Sequence, residues 1–168
     1  ADHELNPSAF AVRVAASTGA SIPAALLAGL ATLSGPRHGL ASRQVLSLIG
    51  QAEAEGAANI IERLLAEGRK IPGFGHPLYP NGDPRAAAIL GKLAPDAGVE
   101  RFLDAGRRIL GEEPDVDLAL AALVRSEALP DDAGYRLFAI ARAIGWAAHA
   151  VEQLESGLLI RPRGRYQE

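Results

Sequence analysis

No stretch of this sequence alternates apolar and polar residues as a half-buried strand must, whereas apolar residues recur at three- and four-residue spacing along most of its length. Alanine and leucine dominate, β-branched residues are sparse, and glycine or proline separates the runs. The pattern predicts an all-α chain without internal repeats. Helices are expected over about 7–17, 21–33, 40–53, 57–67, 84–93, 96–110, 116–129 and 131–155. Asn6, Ser21 and Asp83 stand where side-chain caps belong, and Pro84 occupies a first helical position. Phe10, Val14 and Ser17 mark the expected face of the first helix. Val45, Leu48, Ile49 and Ala52 mark the third, and Ile140, Ile144, Ala147, Val151 and Leu154 the last.

With 168 residues, the chain has the length of about one domain. The absence of cysteine excludes disulfides, thiolate metal sites and a cysteine nucleophile. A net charge of −3 argues against a general electrostatic partnership with nucleic acid or an anionic membrane. No apolar run approaches the roughly 18 residues of a membrane span, so a cytoplasmic location is expected. The chain contains no methionine and starts at Ala1, which fits either initiator removal or a piece of a longer protein.

The helical period vanishes over 68–83, where sixteen residues hold three prolines and four glycines. Compact domains rarely keep so long a loop without a functional reason. Two of the four histidines lie in glycine-rich breaks, in Gly35-Pro36-Arg37-His38-Gly39 and Gly73-Phe74-Gly75-His76. Such a histidine can present its ring to a cleft, and its glycine neighbours let a ligand approach the backbone. A loop histidine bonded to a nearby carbonyl would look the same. His149 reads as a packed or half-exposed helix residue. Arg85 opens the helix after the long loop and carries a fork suited to carboxylates, although a solvated arginine is the plainer reading. Asp115 and Asp117 open another helix, where acidic residues complement the dipole. No phosphate loop or dinucleotide fingerprint occurs. No metal site is expected, on the reading that no two histidines and no carboxylate–histidine pair sit at ligand spacing on one helix face.

The ordered blocks Ala1-Asp2-His3 with Asn6, Gly35-Pro36-Arg37-His38-Gly39, Gly73-Phe74-Gly75-His76, Asp83-Pro84-Arg85, Pro114 to Asp117, Ala141-Arg142 and Arg161-Pro162 together resemble citrate synthases. The resemblance spans essentially the whole chain and is nearest to the citrate synthase-like proteins of bacteria. It implies a multi-helical fold with a large and a small domain, working as a homodimer. Residues 1–38 would belong to the large domain, 39–130 to the small, CoA-binding domain, and 131–168 would return to the large domain.

The resemblance further implies condensation of acetyl-CoA with oxaloacetate to give citrate and CoA, with no permanently bound cofactor. By position, Asp117 matches the base, His38 the residue at the thioester carbonyl, and His76 the residue that polarises the ketone. His3, Arg85, Arg142 and Arg161 match substrate-binding residues, Arg161 being the one supplied across the dimer. Ile71, Pro72, Gly73, Phe74 and Gly75 match the loop against CoA.

Three departures stand out. Asp117 runs into Leu118-Ala119-Leu120-Ala121 where many members have a Ser-Gly pair. The stretch after His76 reads Leu78-Tyr79-Pro80-Asn81 without the usual basic residue, and Arg37 replaces a leucine. Methylcitrate synthase or citryl-CoA lyase activity, or a non-catalytic module on the same scaffold, therefore stay open as alternatives. Because citrate synthases are generally more than twice as long, the chain is expected to be a C-terminal half that folds but is inactive alone.

Overall fold

A computed structural model describes residues 3–36 and 38–164; Arg37 and the tail residue Arg165 lie outside these. The described residues form eight helices: α1 Pro7–Ser17, α2 Ile22–Leu33, α3 Ala41–Glu55, α4 Ala57–Ala66, α5 Pro84–Leu90, α6 Ala97–Leu110, α7 Val116–Ser126 and α8 Ala133–Ser156. No strand occurs among them; Phe74 and Pro114 form one isolated antiparallel bridge. The caps explain several starts. Asn6 accepts from Ala9 N–H, Asp83 from Arg85 N–H, and Asp96 from Gly98 and Val99 N–H. Ser21 stands at its cap position without a side-chain bond.

Two expected helices end early. The helix after the long loop stops at Leu90 rather than near 93, with Gly91 at its C-cap. The helix from Val116 stops at Ser126 rather than 129, because Ala128 takes a left-handed φ of 48° and the Leu129 N–H turns back to Val124 O.

The chain divides into two compact units, Ala1–Gly39 with Leu137–Glu168, and Leu40–Arg136. The division falls within α8. In the second unit, α3 packs against α4, α6 and α7, while α5 rests on α7. Its core holds Val45, Ile49, Ile60, Ile61, Val99, Phe102 and Leu118, all inaccessible to solvent. The apolar stripe of α3 faces this core as its spacing predicts, and so do Ile60, Ile61 and Leu64 of α4, while Leu65 of the same run is exposed.

The first unit packs α1 on α2 and lays Trp146 of α8 over Gly29, where a β-carbon would come 2.6 Å from Val12 and 3.0 Å from the indole. Here the expected faces are wrong. Helix α1 buries Ser8, Ala9, Val12 and Ala16, and leaves Phe10 exposed. Helix α8 buries Arg142, Trp146, His149, Ala150 and Gln153, and turns Ile140 and Ile144 outward at 69% and 74% exposure. The period located the stripe but not the side that this chain covers.

Candidate active site

The 68–83 segment is fixed to the second unit at both ends. Gly73 O accepts from Asp115 N–H at 2.9 Å, and Gly75 N–H donates to Glu113 O at 3.0 Å. Gly73 needs to be glycine for two reasons. Its φ is +95°, and a β-carbon would lie 2.9 Å from Val45 and 3.0 Å from Leu118. Between these bonds the Phe74 ring packs on α6, where a β-carbon on Gly106 would lie 2.0 Å from it. At the other end Asp83, 3% exposed, performs two tasks. It caps α5 and grips the Arg85 guanidinium, with Nη2 at 2.8 Å, and it also accepts from Val116 N–H at 3.0 Å. One carboxylate thus joins the N-terminal ends of α5 and α7.

The loop borders a cleft of about 760 Å³ lined by residues that include Lys70, His76, Tyr79, Asp83 and Glu113. His76 Nδ1 accepts from Leu78 N–H at 3.2 Å, so in the neutral ring Nε2 carries the proton and serves as a donor. Its ring lies 5.0 Å from that of Tyr79, over which the Arg85 guanidinium sits at 5.1 Å. Ile71, Gly73 and Phe74 are buried, with Pro72 and Gly75 partly so.

Asp117 stands in the first turn of α7, behind the cap Asp115, whose carboxylate accepts from Asp117 and Leu118 N–H. Burial and the neighbouring Asp115 push the Asp117 carboxyl up to about 7, while Arg85 and a hydrogen bond from Ser42 N–H oppose the shift. That bond gives Asp117 a second role. Leu40, at the α3 N-cap, supplies no side-chain acceptor, and Asp117 serves the α3 N-terminus instead. Burial also raises Asp115, helped by Asp83. Asp83 behaves oppositely: burial alone would raise it, but the bonds from Arg85 and Val116 bring it below the usual carboxylate range.

The first unit holds His38, Arg142, His3 and Arg161. His38 Nε2 lies 2.8 Å from Ser8 Oγ, and burial and Arg142 hold the imidazole below its ordinary pKa. Arg142 is buried, with its guanidinium 5.8 Å from the Phe138 ring centre. Arg161 is exposed in the irregular segment after α8.

His3 stacks on His149, ring centres 4.1 Å apart, and pairs with Glu152 at 2.8 Å. Arg13 donates to His149 Nδ1 at 2.9 Å and also bonds Glu152. The expectation that no carboxylate–histidine pair shares a helix face therefore fails: His149 and Glu152 are three residues apart on α8. Their geometry suits a guanidinium better than a metal. Arg13 takes the His149 Nδ1 lone pair, and the lone pairs of two rings stacked 9° from parallel lie in separate planes.

Ser8 and Trp146 are absent from the sequence expectations, although a lone tryptophan within a predicted helix is a visible signal. Asp83 is expected there as a cap alone, because its second partner lies 33 residues away.

Comparison with known proteins identifies the family. Residues 1–163 match the family model described as citrate synthase, C-terminal domain. The chain belongs to the citrate synthase family. It is 36% identical to citrate synthase 2 of Bacillus subtilis over 99% of its own length and 48% of that protein. Among solved structures it is similar to a citrate synthase of Thermotoga maritima, with a TM-score of 0.84 and 32% identity over 98% of this chain and 49% of that one. It is also similar to the Thermoplasma acidophilum citrate synthase in ternary complex with carboxymethyl coenzyme A and oxaloacetate. There the TM-score is 0.80 and the identity 28%, over 99% of this chain and 49% of that one. The chain spans about half the length of the curated relatives it matches. No described helix is long and apolar enough to cross a membrane.

Proposed function

We propose that this chain is the C-terminal part of an enzyme that condenses acetyl-CoA, or a related acyl-CoA, with oxaloacetate to give citrate and free CoA. The observation that carries the reading is Asp117, a carboxyl raised to about 7 in the first turn of α7. A base with that pKa is matched to proton transfer near neutrality. Asp117 takes a proton from the acyl α-carbon. The enolate oxygen that develops requires a hydrogen bond, the role assigned to His38. The new carbanion attacks the oxaloacetate ketone, polarised by the Nε2–H of His76, and the ketone oxygen takes up a proton. Water then cleaves the thioester. Arg85, Arg142, Arg161 and His3 hold the substrate carboxylates, and Ile71–Gly75 line the CoA side.

Residues 1–38, 39–130 and 131–168 are proposed as large-domain, CoA-domain and returning large-domain segments. The protein works as a cytoplasmic homodimer. The outward Ile140 and Ile144 support an apolar partner surface.

The test follows thiol release from acetyl-CoA, with oxaloacetate, in the polypeptide at its full natural length. Turnover is expected, with a loss of about 100- to 10,000-fold in Asp117→Ala. Unchanged turnover in that variant, or no reaction with acetyl-, propionyl- and citryl-CoA alike, overturns the proposal. The 168-residue chain alone is expected to show no turnover.

A further inference from the structure

A second cleft, of about 510 Å³, opens in the Leu40–Arg136 unit between one face of α3 and the segment that leaves α4. Its cations are Arg43, Arg69 and Lys70, and its neutral polar groups are Gln44, Ser47 and Gln51. No carboxylate lines it, although the chain as a whole carries −3. The cleft beside His76 has the opposite character: Asp83, Glu112 and Glu113 line it, and Arg69 and Lys70 border both hollows.

Three like charges around one small concavity repel one another, and little in the protein offsets them. Arg43 and Lys70 have no ion pair among the described residues. Arg69 reaches Glu67 at 3.5 Å, but both groups are exposed and such a pair contributes little. The neutral groups suit an anion as well. Positions 43, 47 and 51 recur every four residues and share a face of α3. Gln51 Nε2 donates to Ser47 Oγ at 3.3 Å, which leaves the Ser47 hydroxyl proton for an acceptor in the cleft.

A hollow of this volume takes a small molecule rather than a polymer, and walls of a single sign concentrate its counter-charge there. One carboxylate would meet one cation. Three cations call for several negative charges on a short chain, and arginine forks match phosphate oxygens two at a time.

We propose that Arg43, Arg69 and Lys70, with Ser47, form a binding site for oligophosphate, taken up either free or as the phosphates of a nucleotide coenzyme. The coenzyme source rests on the function proposed above. Arg69 and Lys70 run directly into Ile71–Gly75, the stretch assigned to the CoA side, whereas no cation follows His76 until Arg85. A coenzyme along this loop finds its positive charges where the loop begins. The free source needs no reaction at all.

The test titrates tripolyphosphate into the 168-residue chain by calorimetry at low salt. Saturable binding at one site is expected, weakening as salt is raised. Replacing Arg43→Gln and Lys70→Gln together should weaken it by about tenfold or more. Both side chains are exposed, so circular dichroism of this variant should match the wild type. Arg101→Gln removes a positive charge from α6, outside the cleft, and should leave the affinity unaltered. Displacement of tripolyphosphate by CoA, but not by phosphate-free pantetheine, assigns the site to the coenzyme's phosphates. A titration that CoA leaves unaltered assigns it to free oligophosphate. No saturable binding to the wild type overturns the proposal, as does an unaltered affinity in the double variant or an equal loss in Arg101→Gln. The titration involves no turnover, so its failure leaves the assignment of Asp117 intact, and a failed thiol-release assay leaves the anion site standing.

Discussion

In the unit formed by Leu40–Arg136, most of the residues that the helical period marks as apolar are removed from water, with Leu65 an exception. In the unit formed by Ala1–Gly39 and Leu137–Glu168, α1 and α8 bury Ser8, Arg142, His149 and Gln153 and expose Phe10, Ile140 and Ile144. Equal periodicity has opposite outcomes. A stripe announces that something should cover it, and in the first unit much of what is covered is polar and hydrogen-bonded. That is the composition of a functional surface. The second unit keeps its chemistry at helix ends and on a loop, outside an ordinary hydrophobic core.

The largest effect that would sharpen this contrast comes from that core. Phe102→Ala empties a fully buried site in the second unit and should cost about 3–5 kcal/mol in urea unfolding followed by circular dichroism. A loss below ~1 kcal/mol would show that the core is not the unit's support.

Next in size is a pH effect from Asp117. Its carboxyl titrates near 7 when folded and near 3.8 when unfolded, so between those values the native chain holds a proton that the unfolded chain has released. The contribution of Asp117 to stability is therefore fully present below pH 4, falls as pH rises to 7, and is flat above that. The decline should amount to about 4 kcal/mol, and Asp117→Asn should remove it. A wild-type-minus-variant difference that stays flat or rises over this window contradicts the burial described here.

Trp146→Phe keeps most of the ring packing over Gly29 but deletes the bond to Ser8. A loss of about 1 kcal/mol is expected from thermal unfolding. The smallest effect belongs to the outward face. Ile144→Gln should change the stability of the chain by no more than ~0.5 kcal/mol. It should reduce self-association in sedimentation velocity; a large loss of stability would mean that this face is covered after all.

Much of the second unit was legible in the sequence. The stripes of α3 and α4 predict their buried residues, and the glycines and prolines of 68–83 mark a loop that the structure keeps. The caps Asn6 and Asp83 were equally readable, because a cap bonds within three residues of itself. What escaped was non-local. Ser8 meets a histidine 30 residues away and an indole 138 away, and no local rule assigns such partners. The choice of face on α8 escaped for a related reason, since periodicity orients a helix only relative to neighbours it does not name. The His149–Glu152 pair is different. Its three-residue spacing was open to inspection, and only the part played by Arg13 needed the fold.

The double attachment of the 68–83 segment limits how it can change. Its start is stitched through Gly73 and Gly75 to the backbone ahead of α7, and its end is held by Asp83. Only 76–82 lies between the fastenings, like a short bridge on fixed piers. Length can vary there, whereas an insertion between Gly73 and Gly75 would displace Phe74 from Gly106, and one after Gly82 would pull Asp83 from Val116. New preferences in this loop should therefore arise within 76–82, through exchanges of side chains such as Leu78, Tyr79 and Asn81 or through a change of length between the two fastenings.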